Sequence, residues 1–376
     1  MKRDVNWMGL AVVALALAAL VIAVGRTNPG GAFDKPDAGS AQVQLPEGEH
    51  SLEGLRRRAE RLDGGLIPPA TSKGQGSAMA KFGWGSGQGQ LGKDVPQEGN
   101  PEAPMSLAIA PGGGAWVLDQ VNNRLVKIDK DGKVQTTQQL TLQGAQDLAV
   151  GKDGTVAVMD RLLDKQVALF DRDGKALGQL PVEGKNLENG GTASGVFIDG
   201  DEVFVEREHG DLVKVGDTTG KADAERGEVP GRPTRDGKGW LTAMISSMPE
   251  GRVAVTAIDR PSKQLRFTRE LRVGTEVYGL NLLDSDQSGI IYLGVMAMVA
   301  RPAEPAAGAT GAAKLSPTVL LFCLDPRDGA PLGRAELPAN ESPEETVREL
   351  VVLDEGGVLY LHRTDEGAQL TRWDCR

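Results

Sequence analysis

The sequence has 376 residues and a formal net charge of −10, a length that suits one large repeat domain or two ordinary domains. The acidic balance disfavours nonspecific nucleic-acid binding, because contact with phosphates needs clustered Lys and Arg. The 50 glycines and 21 prolines suit many short strands joined by turns. With only two cysteines, the chain cannot be a disulfide-dense scaffold or carry a Cys-rich zinc pattern.

The N-terminus has the pattern of a membrane anchor. Lys2 and Arg3 precede an uncharged, mostly apolar run over residues 7–24, which is at the short end of what crosses a hydrocarbon core of roughly 30 Å. Because basic flanks stay in the cytoplasm, the pattern predicts a single-pass inner-membrane anchor over residues 1–25. The rest of the chain is then periplasmic or extracellular. A cleaved signal peptide, which would release the protein, is the alternative, although no A-x-A motif stands at the end of the run.

Residues 26–76 are rich in Pro and Gly and show no strand-like alternation, so they are predicted to be a flexible, disordered linker. Within them, residues 51–62 place Leu and Ala at helical spacing with four arginines on the other face. This short segment is either a docking or lipid-contacting helix or a transient, solvated one.

From Ala78 onward a pattern of four short strands repeats at about 40–50 residues, the period of a β-propeller blade. The turns between first and second strands are predicted at Gly113, Gly154, Gly200, Gly251, Gly289 and Gly357. The second strands read AWVLD, TVAVMD, EVFVE, RVAVTA, IIYLGV and VLYLH. Turns between third and fourth strands are predicted at Asp131-Gly132, Asp173-Gly174, Thr219-Gly220 and Asp328-Gly329, where Gly supplies the positive φ of a hairpin turn.

The pattern therefore predicts an all-β fold, a single six-bladed propeller of four-stranded blades over residues 77–376. The last blade shows only three strands, so residues 78–84 are expected to add the fourth and close the ring, which removes exposed sheet edges. Two insertions interrupt the period. Residues 221–238 are expected to project as a loop after the third blade, and residues 301–317 are expected to form a flexible loop.

The first blade resembles an NHL repeat, a β-propeller repeat family. The resemblance lies in a Gly-rich entry (Phe82-Gly83, then residues 87–91), Pro104, a D-x-x-N-N-R turn and a closing Asp131-Gly132. The turn consists of Asp119, Asn122, Asn123 and Arg124, and local hydrogen bonding of Asp and Asn to the backbone is enough to explain it. Later blades keep only the period and the turns. The resemblance implies a funnel-shaped ring whose face or channel binds proteins, nucleic acids or small molecules.

Some NHL-like propellers are lyases or lactonases with a divalent metal at the axis, so the resemblance also raises a metal site. The weak candidates are His209 with Glu208 and His362 with Asp365, each pair near the end of a second strand. A metal site needs ligands that converge from different blades. The alternative is that both histidines are solvent-facing turn residues, and that alternative is favoured here. No nucleophile elbow, P-loop or Cys–His pair occurs, so no catalytic or cofactor-binding residue and no cofactor is predicted.

Cys323 and Cys375 fall one blade apart, both in or after third strands. Equivalent strands of neighbouring blades usually lie farther apart than the 7 Å that a disulfide allows between Cα atoms. Two free thiols are therefore predicted, with Cys323 buried.

Three functions fit the sequence. The favoured one is a membrane-tethered, extracytoplasmic propeller that binds an envelope protein or acts as a scaffold, because an anchor, a tether and a propeller occur without a chemical motif. The first alternative is a metal-dependent lyase or lactonase with its site at the propeller axis. The second is a sensor of a small molecule or glycan. The sequence leaves the partner, the binding face and the oligomeric state open.

Overall fold

The computed structural model describes residues 70–72, 76–301, 314–340 and 344–376. The predicted anchor over residues 1–25 and the predicted helix over residues 51–62 lie outside these residues. Within the described part of the chain, no helix is long and apolar enough to cross a membrane.

The described residues form six sheets arranged as blades. Three strands come first in the chain: β1 (Ala70–Ser72), β2 (Ser77–Trp84) and β3 (Gln90–Leu91). Blade 1 contains β4 (Ser106–Ala110), β5 (Gly114–Asp119), β6 (Arg124–Ile128) and β7 (Val134–Gln139). Blade 2 contains β8 (Asp147–Val150), β9 (Val156–Asp160), β10 (Gln166–Phe170) and β11 (Ala176–Pro181). Blade 3 contains β12 (Ala193–Asp199), β13 (Glu202–Arg207), β14 (Leu212–Asp217) and β15 (Glu228–Val229).

The second half of the ring follows the same order. Blade 4 contains β16 (Arg232–Pro233), β17 (Gly239–Ser247), β18 (Arg252–Asp259) and β19 (Leu265–Arg272). Blade 5 contains β20 (Val277–Ser285), β21 (Ile291–Arg301), β22 (Lys314–Leu324) and β23 (Pro331–Pro338), with β1 added outside β23. Blade 6 contains β24 (Leu350–Val352), β25 (Val358–Arg363) and β26 (Gly367–Trp373). The six-bladed, all-β prediction is confirmed.

The N-terminal strand closes the ring as predicted. Strand β2 pairs antiparallel with β26 as the fourth strand of blade 6, and β3 pairs with β2. The sheet that would otherwise end in the open edge of β26 is thus completed by a segment from the other end of the domain. Three residues of the predicted linker, those of β1, pair in parallel with β23 on the outer edge of blade 5.

Turns define the two faces of the ring. The upper face holds the turns between first and second strands, where Gly154 and Gly200 have φ of 91° and 65°. That is the left-handed region, which only Gly enters without a steric cost. The lower face holds the turns between second and third strands, such as residues 208–211. Strands β1 and β2 both begin at the upper face, since β1 runs parallel to the fourth strand β23 and β2 occupies a fourth-strand position.

Apolar side chains fill five of the six junctions between blades. The clusters lie between blades 1 and 2, 2 and 3, 4 and 5, 5 and 6, and 6 and 1, and consist largely of Val, Leu, Ile and Ala. The second strands β5 and β9 are fully buried, because each packs between two neighbouring blades. At the junction of blades 3 and 4, the ion pairs Glu206–Arg232 and Asp199–Arg260 join the two blades, and the buried Trp240 lies beside Arg260.

Blade 4 differs from the prediction by one strand. Its first strand is the two-residue β16, and the turn to β17 is residues 234–238 on the upper face. Gly251 therefore joins the second and third strands on the lower face, and the RVAVTA segment is the third strand, β18. A two-residue strand has no alternating pattern that the sequence could reveal. The prediction therefore took β17 and β18 for the first and second strands of blade 4, whereas they are the second and third.

The two insertions contribute residues to strands, although residues 302–313 of the predicted flexible loop lie outside the described residues. Residues 221–238 do not project as a loop, because they contain β15 and β16 and run back to the axis of the ring. The buried Arg226 fixes this path by donating hydrogen bonds to the carbonyls of Pro181, Val182 and Glu183 in blade 2. In the other insertion, Arg301 and residues 314–317 belong to β21 and β22, which pair along their full length.

The prediction of two free thiols was wrong. Cys323 is buried as expected, but it forms a disulfide with Cys375, and their Cα atoms are 5.6 Å apart. After β26 the chain crosses to the outer part of blade 5, where the carbonyl of Cys375 lies against Gly333 so closely that a Cβ there would collide with it. Gly333 is the register partner of Cys323 on the neighbouring strand. Because the chain end crosses from blade 6 to blade 5, the distance between equivalent strands of the two blades is not the distance between Cys323 and Cys375.

We expect the double variant Cys323→Ala/Cys375→Ala to lower the free energy of unfolding by about 2–4 kcal/mol, because the bridge restricts the unfolded chain over a long loop. Urea denaturation of wild type and variant under non-reducing conditions measures the difference. Peptide mapping without reductant provides the control for the bond itself. Recovery of both cysteines as free thiols in the folded protein would contradict the disulfide.

Candidate functional site

A cavity of about 1000 Å³ lies on the axis of the ring. The innermost strands of the blades form its wall, and its lining extends from the upper-face turns at Lys152 and Gly200 to the lower-face turn at His209. In blade 4 the lining includes the second strand as well as the short β16, since Thr242, Ala243, Met244 and Ile245 of β17 also reach the cavity. The cavity is thus widened on the side of blade 4.

Glu206 and Arg232 form the central ion pair of the site. Glu206 is the penultimate residue of β13 and is 1% exposed. The insertion over residues 221–238 brings Arg232 to Glu206. The Nε and Nη2 atoms of Arg232 donate to the two carboxylate oxygens of Glu206 at 2.6 and 3.0 Å. Burial alone would raise the pKa of Glu206, but the guanidinium and the hydrogen bond from Ser194 (2.8 Å) outweigh it and hold the pKa well below its ordinary value of 4.5. The carboxylate is therefore ionised and fully engaged.

A second buried pair ties blade 6 to the far side of the ring. Arg348, in the segment before β24, donates to Asp147 Oδ2 at 2.7 Å and to the carbonyls of Leu148 and Val196. Asp147 also accepts from Ser106 Oγ at 2.5 Å and from the backbone N–H of Val196 at 2.8 Å. One carboxylate thus joins segments of blades 1, 3 and 6 to the start of β8.

Phe197 separates the two guanidinium groups at the cavity wall. The centres of the Arg348 and Arg232 guanidiniums lie 4.8 and 5.3 Å from the centroid of its ring. An aromatic face attracts cations, so the ring holds both groups in place in addition to their carboxylate partners.

At the upper end, Arg235 crosses from the insertion to blades 5 and 6. Its guanidinium donates to Asp284 Oδ2 from Nε (3.1 Å) and Nη2 (2.8 Å), and to Asp354 Oδ1 from Nη1 (3.0 Å). Its backbone N–H donates to Ser285 Oγ at 2.9 Å. Burial opposes the charged form of Arg235, but the two carboxylates outweigh it and raise its pKa. The insertion is therefore anchored at both ends of the cavity.

The predicted histidine and acid candidates are not brought together. Glu208 and His209 line the cavity at the lower face, both with positive φ in the β13–β14 turn. The His209 side chain is 77% exposed, and its Nδ1 lies 3.6 Å from Glu206. His362 stacks beside Tyr360 in β25, and Asp365 lies in the following turn; both are outside the cavity lining.

The D-x-x-N-N-R motif of blade 1 forms the turn predicted for it. Asn123 has φ of 53°, in the left-handed region. Asp119 is fully buried and accepts hydrogen bonds from Gly92 N, Asn122 Nδ2 and Arg124 Nε. Arg124 also donates to carbonyls of the Gly-rich entry, so the motif attaches the segment after β2 to blade 1.

The cavity carboxylates do not form a ready metal site. Glu206, Asp284 and Asp354 each accept from an arginine, and Asp147 is likewise paired behind the wall. In the described part of the chain, the close group of potential ligands is Cys323, Asp374 and Cys375 on the outside of the ring, and its two cysteines are in the disulfide. A metal that used one of these four carboxylates would have to displace a guanidinium from it.

Sequence reasoning missed the residues that shape this site, Glu206, Arg232, Arg235, Arg348 and Asp147. Their side chains come from four different parts of the chain and carry no shared motif. The available signal was the insertion itself, because arginines within a Pro/Gly-rich segment next to the repeat were candidates for contact with the ring rather than for solvent.

Comparisons with known proteins do not assign the chain to a family. No family model and no curated protein sequence matches the chain. Among solved structures, it is similar to a member of the DUF4221 family from Bacteroides vulgatus, at 9% identity and a TM-score of 0.46, over 80% of this chain and 96% of that one. It is also similar to hydrazine synthase of Kuenenia stuttgartiensis, at 14% identity and a TM-score of 0.43, over 75% of this chain and 90% of that one. A third similar structure is a streptogramin B lyase, at 8% identity and a TM-score of 0.39, over 76% of this chain and 97% of that one.

We expect Arg232→Met to lower the free energy of unfolding by about 3–5 kcal/mol, because the variant leaves the buried Glu206 carboxylate without a countercharge. The pair Arg372–Glu355 is exposed on the surface, so Arg372→Met is the matched control and should cost less than about 1 kcal/mol. Chemical denaturation at neutral pH measures both.

The ion pair Glu206–Arg232 also makes the stability of the protein depend on pH. The pKa of Glu206 is lower in the folded state than its ordinary value of 4.5. The stability that the ionised Glu206 contributes is therefore fully present above pH 4.5 and is lost progressively as the pH falls below 4.5. Wild type should therefore lose more stability between about pH 5 and pH 3 than Glu206→Gln does. Equal losses in the two proteins would contradict the ion pair.

Proposed function

We propose that the chain is a membrane-tethered, extracytoplasmic propeller that binds a partner protein in the cell envelope and performs no chemistry of its own. The observation that carries the proposal is the apolar character of the lower face. Met248, Tyr278 and Leu315 are exposed there, in the turns and strand starts of blades 4 and 5. We call these three residues the apolar patch. Grouped, exposed apolar side chains are typical of protein interaction sites.

Two residues of the apolar patch, Met248 and Tyr278, lie in adjacent segments of the lower face. The backbone N–H of Val277, beside Tyr278, donates to the carbonyl of Met248 at 3.0 Å. Leu315 pairs with Ala300 on the hairpin that follows in blade 5. Leu162 and Leu163 are exposed in a lower-face turn of blade 2, across the cavity opening. A partner on this face would therefore cover the opening of the axial cavity.

The direction of the N-terminal strands agrees with this arrangement. Strands β1 and β2 both begin at the upper face. The described part of the chain thus starts on the upper face, and the apolar patch lies on the opposite face. A partner on the patch would not meet the start of β1.

The disulfide supports a location outside the cytoplasm. Disulfides persist in secreted and periplasmic proteins and are rare in the cytosol, where thiols are kept reduced. The uncharged run of residues 7–24 behind Lys2 and Arg3 agrees with export. The disulfide and the uncharged N-terminal run are independent features, and both support a location outside the cytoplasm.

A small-molecule or glycan sensor is a second candidate, favoured by the axial cavity, whose volume is at the upper end of the range for small-ligand pockets. A metal-dependent lyase or lactonase is less well supported. Glu206, Asp284 and Asp354 at the cavity wall already neutralise arginines. Glu208 and His209 line the cavity, but His362 lies outside it.

We expect Met248→Ser/Tyr278→Ser to lose capture of the partner at least about tenfold, because both changes remove apolar area from the patch. The measurement is chemical crosslinking and capture from solubilised membranes of cells that produce the full chain. Leu332→Ser is the matched control, since Leu332 is similarly exposed but lies on the outer strand β23. Equal capture by the patch variant and the control would contradict the proposal.

We expect the purified full-length protein to contain no stoichiometric divalent metal and to keep its melting temperature after chelation. Elemental mass spectrometry before and after chelation, with thermal unfolding alongside, makes the measurement. One equivalent of metal whose removal lowers the melting temperature would contradict a purely binding function and favour the lyase alternative.

A further inference from the structure

The first strand of blade 4 is incomplete, and the gap faces the axial cavity. Strand β16 pairs with β17 only through Arg232–Leu241 and Pro233–Trp240. The chain leaves the edge of β17 at Gly231, where a Cβ would collide with the carbonyl of Leu241. Beyond that point the inner edge of β17, residues 243–247, has no strand beside it in the described part of the chain. We call this space the strand gap.

The register shows which backbone groups face the strand gap. Thr234 N donates to Gly239 O at 2.9 Å, so in this antiparallel pair Gly239 and Leu241 direct their N–H and C=O groups toward β16. Side-to-side alternation continues along the strand. The N–H and C=O groups of Ala243 and Ile245 therefore point into the strand gap, while those of Thr242 and Met244 bond to β18.

The walls of the strand gap suit an uncharged chain. Ala243 and Ile245 pack against the apolar cluster of blades 4 and 5 together with Leu280. The facing strand β20 has register shifts on both sides of Gly279 and Leu280, and both residues line the cavity. Bulges of this kind are common next to binding sites. The neighbouring guanidinium of Arg232 is already neutralised by Glu206, so a charged ligand would gain no free countercharge there.

The dimensions fit a short strand. Residues 243–247 at about 3.3 Å per residue give an edge of roughly 17 Å, long enough for about five residues of an extended chain. The gap opens at the lower face, because β17 ends there at Ser247, next to Met248 of the apolar patch. A segment that enters from a partner seated on the patch would reach the edge of β17 directly.

We propose that the strand gap binds an extended, uncharged peptide segment that completes blade 4 by pairing with Ala243 and Ile245. This adds a strand to an open edge, so backbone hydrogen bonds supply affinity and alternate apolar side chains supply selectivity. The proposal rests on the proposed protein-binding function and names the part of the partner that is recognised.

The test uses the full-length protein and a pool of acetylated, amidated hexapeptides built from Val, Leu, Thr and Ser. Members retained by wild type are identified by mass spectrometry, resynthesised and titrated by calorimetry. We expect Ala243→Pro to weaken binding at least about tenfold, because it removes an N–H that faces the strand gap, at an edge where Pro is tolerated. Ala243→Gly, which keeps that N–H, is the matched control and should bind within about threefold of wild type.

Two measurements on wild type keep the test independent of folding in the proline variant. N-methylation of the peptide backbone should abolish binding when it is placed at every second residue and should have little effect at the residues between. Bound peptide should slow amide hydrogen exchange at Ala243 and Ile245. Retention of no hexapeptide, equal binding by a folded Ala243→Pro, or N-methylation without an alternating effect would each overturn the proposal. If the patch variants still lose partner capture in that case, the protein-binding function stands and only the strand pairing fails.

Discussion

The ion pair between Glu206 and Arg232 is the contact on which the architecture of this propeller depends. Apolar clusters hold the other five blade junctions, and at the junction of blades 3 and 4 two ion pairs join the blades beside buried apolar side chains such as Trp240. A buried carboxylate and guanidinium must stay together, since either alone carries a large desolvation cost. The pair therefore fixes the path of the insertion as firmly as a hydrophobic contact would, and it does so in a segment with few apolar residues.

That path has consequences for the rest of the site. Because the insertion returns to the axis at Arg232 and leaves it again after Arg235, only two residues serve as the first strand of blade 4. The second strand, β17, then faces the cavity, and the cavity widens toward it. The same arginines pair with Glu206, Asp284 and Asp354 at the cavity wall. The short first strand leaves a backbone edge of β17 open toward the axis.

Much of the fold could be predicted from the sequence because its determinants are local. Turn glycines at positive φ, alternating second strands and the missing fourth strand of the last blade gave the blade number and the closure by β2. The site could not be predicted in the same way. Glu206, Arg348 and Asp147 are ordinary in their local sequence, and only the closed ring places them around one axis. The disulfide was missed for a related reason, since the chain end crosses to the neighbouring blade after its last strand.

The central claim is that β17 has a paired and an unpaired stretch along one edge. Amide hydrogen exchange of the unliganded full-length protein, resolved to single residues, tests this most directly, because Leu241, Ala243 and Ile245 direct their N–H groups to the same side of one strand. The account predicts slow exchange at Leu241, whose partner is Arg232, and exchange at Ala243 and Ile245 that is faster by at least about tenfold. Equally slow exchange at all three would mean that the edge is covered and would contradict the account.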